Sequence, residues 1–314
     1  MHGRNILVSL TTIAIFLIIC IYINSQRELL VYISNISPYR LIILVFLIML
    51  FQMVNGLILK DIAHLFDIRL SAREWLGLPF VTSLWNYITP FSGGMAARAS
   101  YLKYRHDFAY ARFISVLAAT YVLFFGIACI TGVSILLISN IGDDYFLHLF
   151  LFFISILVAV IFVALIPLGR LRGNNRYIEA FNHALEGWDM IRNDYMLLAR
   201  LALYSLASIV VNGVTFWMAL TTLSDRVFSF SGVFLISILS CFTLLVRITP
   251  GNFGISEGVV GLCSGMIGIG TGIGLMTALL IRAVSLIPIV LLGVVFSIVF
   301  TKELSAHANI TKTD

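Results

Sequence analysis

Long apolar runs separated by short polar segments dominate this chain of 314 residues. A helix of about 20 residues crosses the hydrocarbon core of a bilayer, which is about 30 Å thick. Six runs reach roughly this length, at about 6–23, 39–59, 112–139, 146–168, 198–222 and 272–299. The pattern predicts an all-α polytopic membrane protein with about six full spans.

Composition excludes other classes of protein. Hydrophobic residues make up 60% of the chain and charged residues 11%, with a mean hydropathy of +1.03, which excludes an ordinary soluble domain. The net charge of +5 lies mostly between the apolar runs, so it indicates orientation in a membrane and not nucleic-acid binding. The four cysteines lie in apolar segments without metal-ligand spacing, so we expect no disulfide, metal or cofactor.

Two further segments, 75–97 and 227–268, combine apolar sequence with a helix break. The tripeptide Ile-Thr-Pro at 88–90 recurs at 248–250, and glycines follow both copies. Proline cannot continue a helix, and glycine adopts backbone conformations that other residues avoid. A matched pair of interrupted apolar segments is typical of a transporter's substrate site. The breaking residues are Pro90, Gly93 and Gly94 in the first copy and Pro250, Gly251 and Gly254 in the second.

Positive charge predicts how the segments are oriented. Lysine and arginine cluster in 60–74, 98–112 and 169–200, whereas 140–145 carries only two aspartates. Because cytoplasmic loops are enriched in Lys and Arg, we expect the first three to be cytoplasmic and 140–145 to be external. Both flanks of 75–97 are then cytoplasmic, so this segment enters the membrane and returns as a re-entrant hairpin.

The same reasoning makes 227–268 a second re-entrant hairpin, entering from outside, and places the N and C termini in the cytoplasm. Two span–hairpin–span units then run in opposite directions, as an inverted repeat. We predict a single integral membrane domain over 1–314, with repeat one at about 39–139, repeat two at about 198–299 and a cytoplasmic linker at about 169–197. An alternative stays open, because 227–247 is long enough to cross fully, which would give seven or eight spans.

Four charged residues lie within or beside these apolar segments: Arg98, Arg247, Glu257 and Arg282. A charged side chain at the bilayer centre costs roughly 2.5–3.5 kcal/mol on insertion scales, so we expect them to face the protein interior or a cavity. One hypothesis is a Glu257–Arg282 ion pair that only holds helices in register. The other is a polar cavity for a lipid headgroup, in which the arginines bind phosphate and Glu257 orients an arginine or balances headgroup charge.

Motifs for nucleotide hydrolysis and for metalloprotease chemistry are absent from the sequence. It contains no GxxxxGK[ST] or HExxH pattern, so we predict no catalytic residues and no enzyme activity. A transport reaction would then run down a lipid gradient or be coupled to an ion or to the membrane potential.

Three stretches resemble the motifs of a known family: 88–102, which contains Arg98; 249–258, which contains Glu257; and 280–282, which contains Arg282. They resemble the flippase-like transmembrane region of the lysylphosphatidylglycerol synthase family, over about 39–299. The resemblance implies re-entrant helices and movement of charged or glycosylated lipids between leaflets. Better-known members also carry an aminoacyl-transferase domain. This chain leaves no room for one before Asp314, so we expect no lipid aminoacylation.

These observations predict a stand-alone lipid translocase of a prokaryotic plasma membrane. Its substrate would be an anionic phospholipid or a prenyl-linked glycolipid, whose headgroup enters a polar cavity between the hairpins while its tails stay in the bilayer. Two alternatives stay open. One is a non-transporting subunit of a cell-envelope or glycolipid synthesis complex, with biosynthetic enzymes as partners. The other is an integral-membrane lipid transferase.

Overall fold

The computed structural model describes residues 36–89, 91–138, 143–165, 175–224 and 227–310. Within these ranges the chain forms ten α-helices and two 3₁₀-helices, and no strand is present there. The prediction of an all-α polytopic membrane protein is confirmed. The predicted first span at 6–23 and the breaking residue Pro90 lie outside the described residues.

Among the described residues, five helices are long and apolar enough to cross a membrane. They are α1 (Pro38–Leu65), α4 (Tyr110–Ile138), α5 (Asp143–Leu165), α7 (Tyr195–Leu223) and α10 (Thr271–Ile310). Each overlaps one of the predicted spans, so five of the six predicted spans are present as long apolar helices.

The other helices are shorter: α2 (Ala72–Ile88), α3 (Gly93–His106), α6 (Arg176–Asn193), α8 (Phe230–Cys241) and α9 (Ile255–Met266). Two 3₁₀-helices, Phe242–Leu245 and Pro250–Asn252, lie between α8 and α9. The 17 residues of α2 extend about 26 Å. The 12 residues of α8 and the four that follow also extend about 26 Å. Both fall short of a bilayer core, which favours a hairpin arm over a full crossing for 227–247.

The polar segment 60–74 divides between two helices. Helix α1 continues to Leu65, and α2 starts after a short loop. A capping box fixes the start of α2: the Ser71 hydroxyl accepts a hydrogen bond from the Glu74 backbone N–H at 3.4 Å, and the Glu74 carboxylate accepts one from the Ser71 N–H at 2.7 Å. This arrangement satisfies two backbone donors that a helix start otherwise leaves free.

The two halves of the chain share one order of elements. Helices α1 to α4 give a long helix, a broken pair and a long helix, and α7 to α10 repeat that order. Helix α1 packs against α7, α2 packs against α10, and α8 packs against α4. The first arm of each broken pair therefore contacts the last long helix of the other half, as expected for related halves. Their opposite orientation across the bilayer stays a prediction.

The packed interior lies where helices of the two halves meet. One buried cluster joins α1, α7 and α10 through Leu44, Ile48, Ala219, Leu280 and Val284. A second joins α2 to α10 through Phe80, Leu84 and Ile289. These contacts hold α10 against α1, α2 and α7, which form the walls of the cavity described below.

A polar cluster anchors the first broken pair to the end of α10. Glu74 is 6% exposed; the Tyr101 hydroxyl lies 2.9 Å from its carboxylate, and His106 Nε2 lies 2.7 Å from it. The Tyr101 hydroxyl also lies 3.1 Å from the Glu303 carboxylate on α10. Residues of α2, α3 and α10 therefore meet in one hydrogen-bonded group.

We expect this cluster to make stability depend on acid pH. Burial raises the pKa of Glu74, but hydrogen bonds from His106, Ser71 and Tyr101 outweigh burial and lower that pKa from 4.5 to about 2. A pKa lowered by folding contributes stability that is present above pH 4.5 and is lost as the pH falls towards 2. In thermal unfolding of detergent-solubilised protein, Glu74→Gln should lower the free energy of unfolding by about 2 kcal/mol at neutral pH. Its stability should also fall less steeply than that of the wild type as the pH decreases, which gives a flatter acid limb of the stability curve.

The matched control is Asp189→Asn, which removes an exposed carboxyl group on α6. It should leave both the neutral stability and the acid limb unchanged. An acid limb in Glu74→Gln as steep as that of the wild type would show that the Glu74 cluster does not cause it.

Candidate functional site

A cavity of about 330 Å³ lies where the two helix breaks meet. Its walls come from α1, α2, α7, α8, α9 and α10, and from the chain between α8 and α9. The α2 helix of the first broken pair packs directly on the second break, which is the chain from 242 to 254 between α8 and α9. Polar side chains line much of the cavity, among them Gln52, Ser83, Asn86, Tyr87, Asn212, Ser240 and Ser285.

A buried ion pair forms one side of the cavity. Glu257 is 4% exposed and Arg282 is 6% exposed, and Arg282 Nε donates to Glu257 Oε1. The other two guanidinium nitrogens of Arg282 donate to the Gly251 carbonyl at 2.9 Å and to the Ser256 hydroxyl at 3.0 Å. Every nitrogen of this guanidinium group is thus hydrogen-bonded to the second break or to the start of α9.

Two aromatic rings complete the surroundings of Arg282. The guanidinium carbon lies 5.7 Å from the centre of the Tyr87 ring and 5.2 Å from that of Phe253, distances at which a cation is attracted to a ring face. The Tyr87 hydroxyl lies 3.0 Å from Ser285 Oγ on α10. Arg282 therefore connects α10, the second break and α2.

The second break owes its shape to glycine and to Glu257. Gly251 has φ of +59°, and a Cβ there would lie 2.7 Å from Tyr87 Cδ1. The Gly254 N–H donates to Glu257 Oε2 at 2.8 Å, which caps the start of α9. Both carboxylate oxygens of Glu257 are therefore engaged, one in the ion pair and one in the cap.

The first break brings α2 and α3 into close contact. The Gly94 N–H donates to Asn86 Oδ1 at 2.9 Å. A Cβ at Gly94 would collide with the backbone carbonyl of Thr82. Phe91 and Ser92 both have positive φ, which turns the chain between the two arms. The described part of this break thus depends on Gly94 because the two arms touch through their backbones.

The other two predicted arginines differ from Arg282. Arg98 is half-buried, and its Nε donates to Thr82 Oγ1 at 2.8 Å. Arg247 is half-buried and lines the cavity. Among the described residues it makes no hydrogen bond and no ion pair.

The structure thus brings three of the four predicted charged residues to one cavity. Arg247, Glu257 and Arg282 line it, whereas Arg98 is not among the lining residues and donates to Thr82 instead. Sequence reasoning missed Gln52, whose amide donates to Ser83 Oγ at 2.7 Å between α1 and α2. A lone glutamine inside a long apolar run was the available signal.

The described side chains contain no group of three or more His, Cys, Asp or Glu residues placed to hold a metal ion. Cys129, Cys241 and Cys263 are free thiols. Hydroxyl, amide, guanidinium and carboxylate groups line the described cavity beside apolar side chains, a mixture that suits binding of a polar or charged group with an apolar tail.

Comparison with known proteins agrees with this architecture. The family model described as "Lysylphosphatidylglycerol synthase TM region" matches residues 6–293. No curated protein matches the chain. The matched region contains both broken pairs, the ion pair and the cavity, so the resemblance inferred from the motifs is confirmed. The chain belongs to the family of lysylphosphatidylglycerol synthase transmembrane regions.

Proposed function

We propose that this protein is a lipid translocase that moves lipids with a charged or glycosylated headgroup between the leaflets of the plasma membrane. The observation that carries the proposal is the polar cavity at the meeting point of the two breaks, with the buried Glu257–Arg282 pair in its wall. A cavity of about 330 Å³ falls within the range of small-molecule sites. The headgroup would occupy it while the lipid tails remain between the helices and the bilayer.

The arrangement of the halves supports a route for the headgroup. Helix α2 of the first half contacts α10 and the second break of the other half. Movement of one half against the other would therefore change the walls of the cavity directly, as in transporters whose repeats rock about a central site. In this proposal both termini are cytoplasmic and the protein performs no covalent chemistry.

Filling the cavity should slow lipid exchange without unfolding the protein. Ser240 on α8 lines the cavity, and a phenylalanine there would occupy space needed by the headgroup. In liposomes carrying short-chain lipids with a fluorescent acyl chain, we expect Ser240→Phe to slow leaflet exchange at least about tenfold, as a modest steric barrier would. Exchange is measured as the fraction of fluorescence that an external quencher removes over time.

The control variant replaces a serine outside the cavity with phenylalanine. Ser134→Phe changes an exposed serine on α4 and should leave the rate at the wild-type value. Equal exchange in wild type and Ser240→Phe would contradict a route through this cavity. If the folded wild type exchanges no lipid at all, the translocase proposal fails, and a non-transporting subunit of a synthesis complex becomes the better account.

A further inference from the structure

We propose that the cavity selects headgroups with a net negative charge and that Arg247 is the residue that recognises this charge. This inference rests on the proposed function and assigns its substrate class: a lipid with a phosphate group and no balancing cation. Lipids with an added amine would be disfavoured. The arginines of the cavity differ in how far the protein already occupies their hydrogen-bond donors.

Arg282 is already engaged by the protein. All three nitrogens of its guanidinium group donate to protein acceptors, and two aromatic rings flank it. A phosphate that displaced the Glu257 carboxylate would leave that carboxylate charged and unpaired at a buried position, which is strongly unfavourable. Arg282 is therefore a positioning residue that shapes the second break. The sequence had instead suggested that it binds phosphate.

The guanidinium group of Arg247, unlike that of Arg282, is not engaged by the described protein groups. Arg247 lines the same cavity, and within the described part of the chain its guanidinium group has neither a hydrogen bond nor an ion pair. An arginine presents paired N–H donors that match two phosphate oxygens. A bound phosphate would supply the hydrogen-bond acceptor that the described residues do not supply to this side chain.

The charges around the cavity favour an anion. Its lining contains two positive residues, Arg247 and Arg282, and one negative residue, Glu257, so two minus one leaves one positive charge in excess. An anionic headgroup is attracted by this excess positive charge and a cationic headgroup is repelled by it, and the low dielectric constant of a membrane interior strengthens both effects.

The first test measures binding by thermal shift in detergent. A ligand that binds only the folded state raises the unfolding temperature. We expect phosphatidylglycerol to raise it more than phosphatidylcholine does, and lysylphosphatidylglycerol, which carries added amines, to raise it least. Arg247→Gln should unfold at the wild-type temperature without lipid and should lose the phosphatidylglycerol shift. Arg247→Lys should keep part of the shift, and the control Arg105→Gln, an exposed arginine on α3, should keep all of it.

The second test measures leaflet exchange of the same lipids in phosphatidylcholine liposomes. Because a charge-assisted hydrogen bond contributes about 1.5–3 kcal/mol, Arg247→Gln should slow phosphatidylglycerol exchange at least about tenfold. Arg247→Glu should abolish the preference for phosphatidylglycerol over the cationic lipid. Equal rates for anionic, zwitterionic and cationic lipids in the wild type, or an unchanged preference in Arg247→Gln, would overturn the inference and leave the proposed translocase intact.

A third measurement separates a lipid headgroup from soluble phosphate. Inorganic phosphate and glycerol phosphate are added in place of lipid in the thermal-shift assay. A large shift with these ions and none with phosphatidylglycerol would overturn a lipid substrate. An Arg247-dependent shift with phosphatidylglycerol, combined with no exchange of any lipid, would support the anion site and reject the translocase.

Discussion

Replacing Arg282 with methionine should destabilise the protein by about 3–5 kcal/mol, because removal of one partner leaves the other buried charge unpaired. Glu257 is 4% exposed, so its carboxylate would lose its counter-ion where water scarcely reaches. The carbonyl of Gly251 and the hydroxyl of Ser256 would lose their donor as well. The loss should appear as a lower unfolding temperature in detergent and a lower yield of folded protein.

A double variant tests whether the loss arises from the unpaired charge. Arg282→Met with Glu257→Gln removes both charges and should recover much of the stability, since removing both members of a buried pair costs far less than removing one. The matched control is the surface pair Lys103–Asp107, whose side chains are 37% and 91% exposed. Lys103→Met should cost less than about 1 kcal/mol. Wild-type stability in Arg282→Met would mean that the pair does not hold α10 to the second break.

The long helices could be predicted from the sequence because hydrophobic length alone specifies a membrane span. Predicted span 198–222 corresponds to α7 at Tyr195–Leu223. The end of α1 was predicted less well, at 59 against Leu65. Hydropathy shows where the apolar sequence ends, near residue 59. The helix itself continues through the polar residues that follow, to Leu65. There Asp61 accepts a hydrogen bond from Tyr204 on α7 at 3.2 Å, a contact that no local pattern indicates.

The charged residues of the site could be predicted by type but not by role. Arg98, Arg247 and Arg282 are alike in sequence, since each lies near an apolar segment or a break. In the structure Arg282 is engaged at every guanidinium nitrogen, Arg98 donates to Thr82, and Arg247 lines the cavity. Such differences depend on contacts between distant parts of the chain.

The Glu74 cluster shows the same limit. Its Tyr101–Glu303 contact joins residues 202 positions apart, so the cluster was not predicted. Only its first element, the Ser-x-x-Glu pattern at 71–74, is a recognisable sequence signal, because a capping box is local. Local signals therefore predict where helices start, while tertiary contacts decide which polar groups they bring together.

Replacing Gly94 with alanine should cost more than about 3 kcal/mol, at or beyond the usual upper range for overpacking, because the colliding group is backbone. The added Cβ would overlap the carbonyl oxygen of Thr82 and would approach Asn86 Oδ1, which accepts the Gly94 N–H. A side chain can change rotamer to avoid a methyl group, but a helix carbonyl can move only if α2 and α3 separate. Thermal unfolding and the yield of folded protein after detergent extraction measure the effect.

The matched control is Gly258→Ala, near the start of α9. A Cβ at Gly258 meets nothing within 4 Å, so alanine should leave stability unchanged or raise it by about 0.5–1 kcal/mol through its better helix propensity. The contrast separates a glycine required by backbone contact from a glycine in open space. If Gly94→Ala were as stable as Gly258→Ala, the arms would not touch as described. The two arms of the first break would then be able to move apart without first breaking a backbone contact.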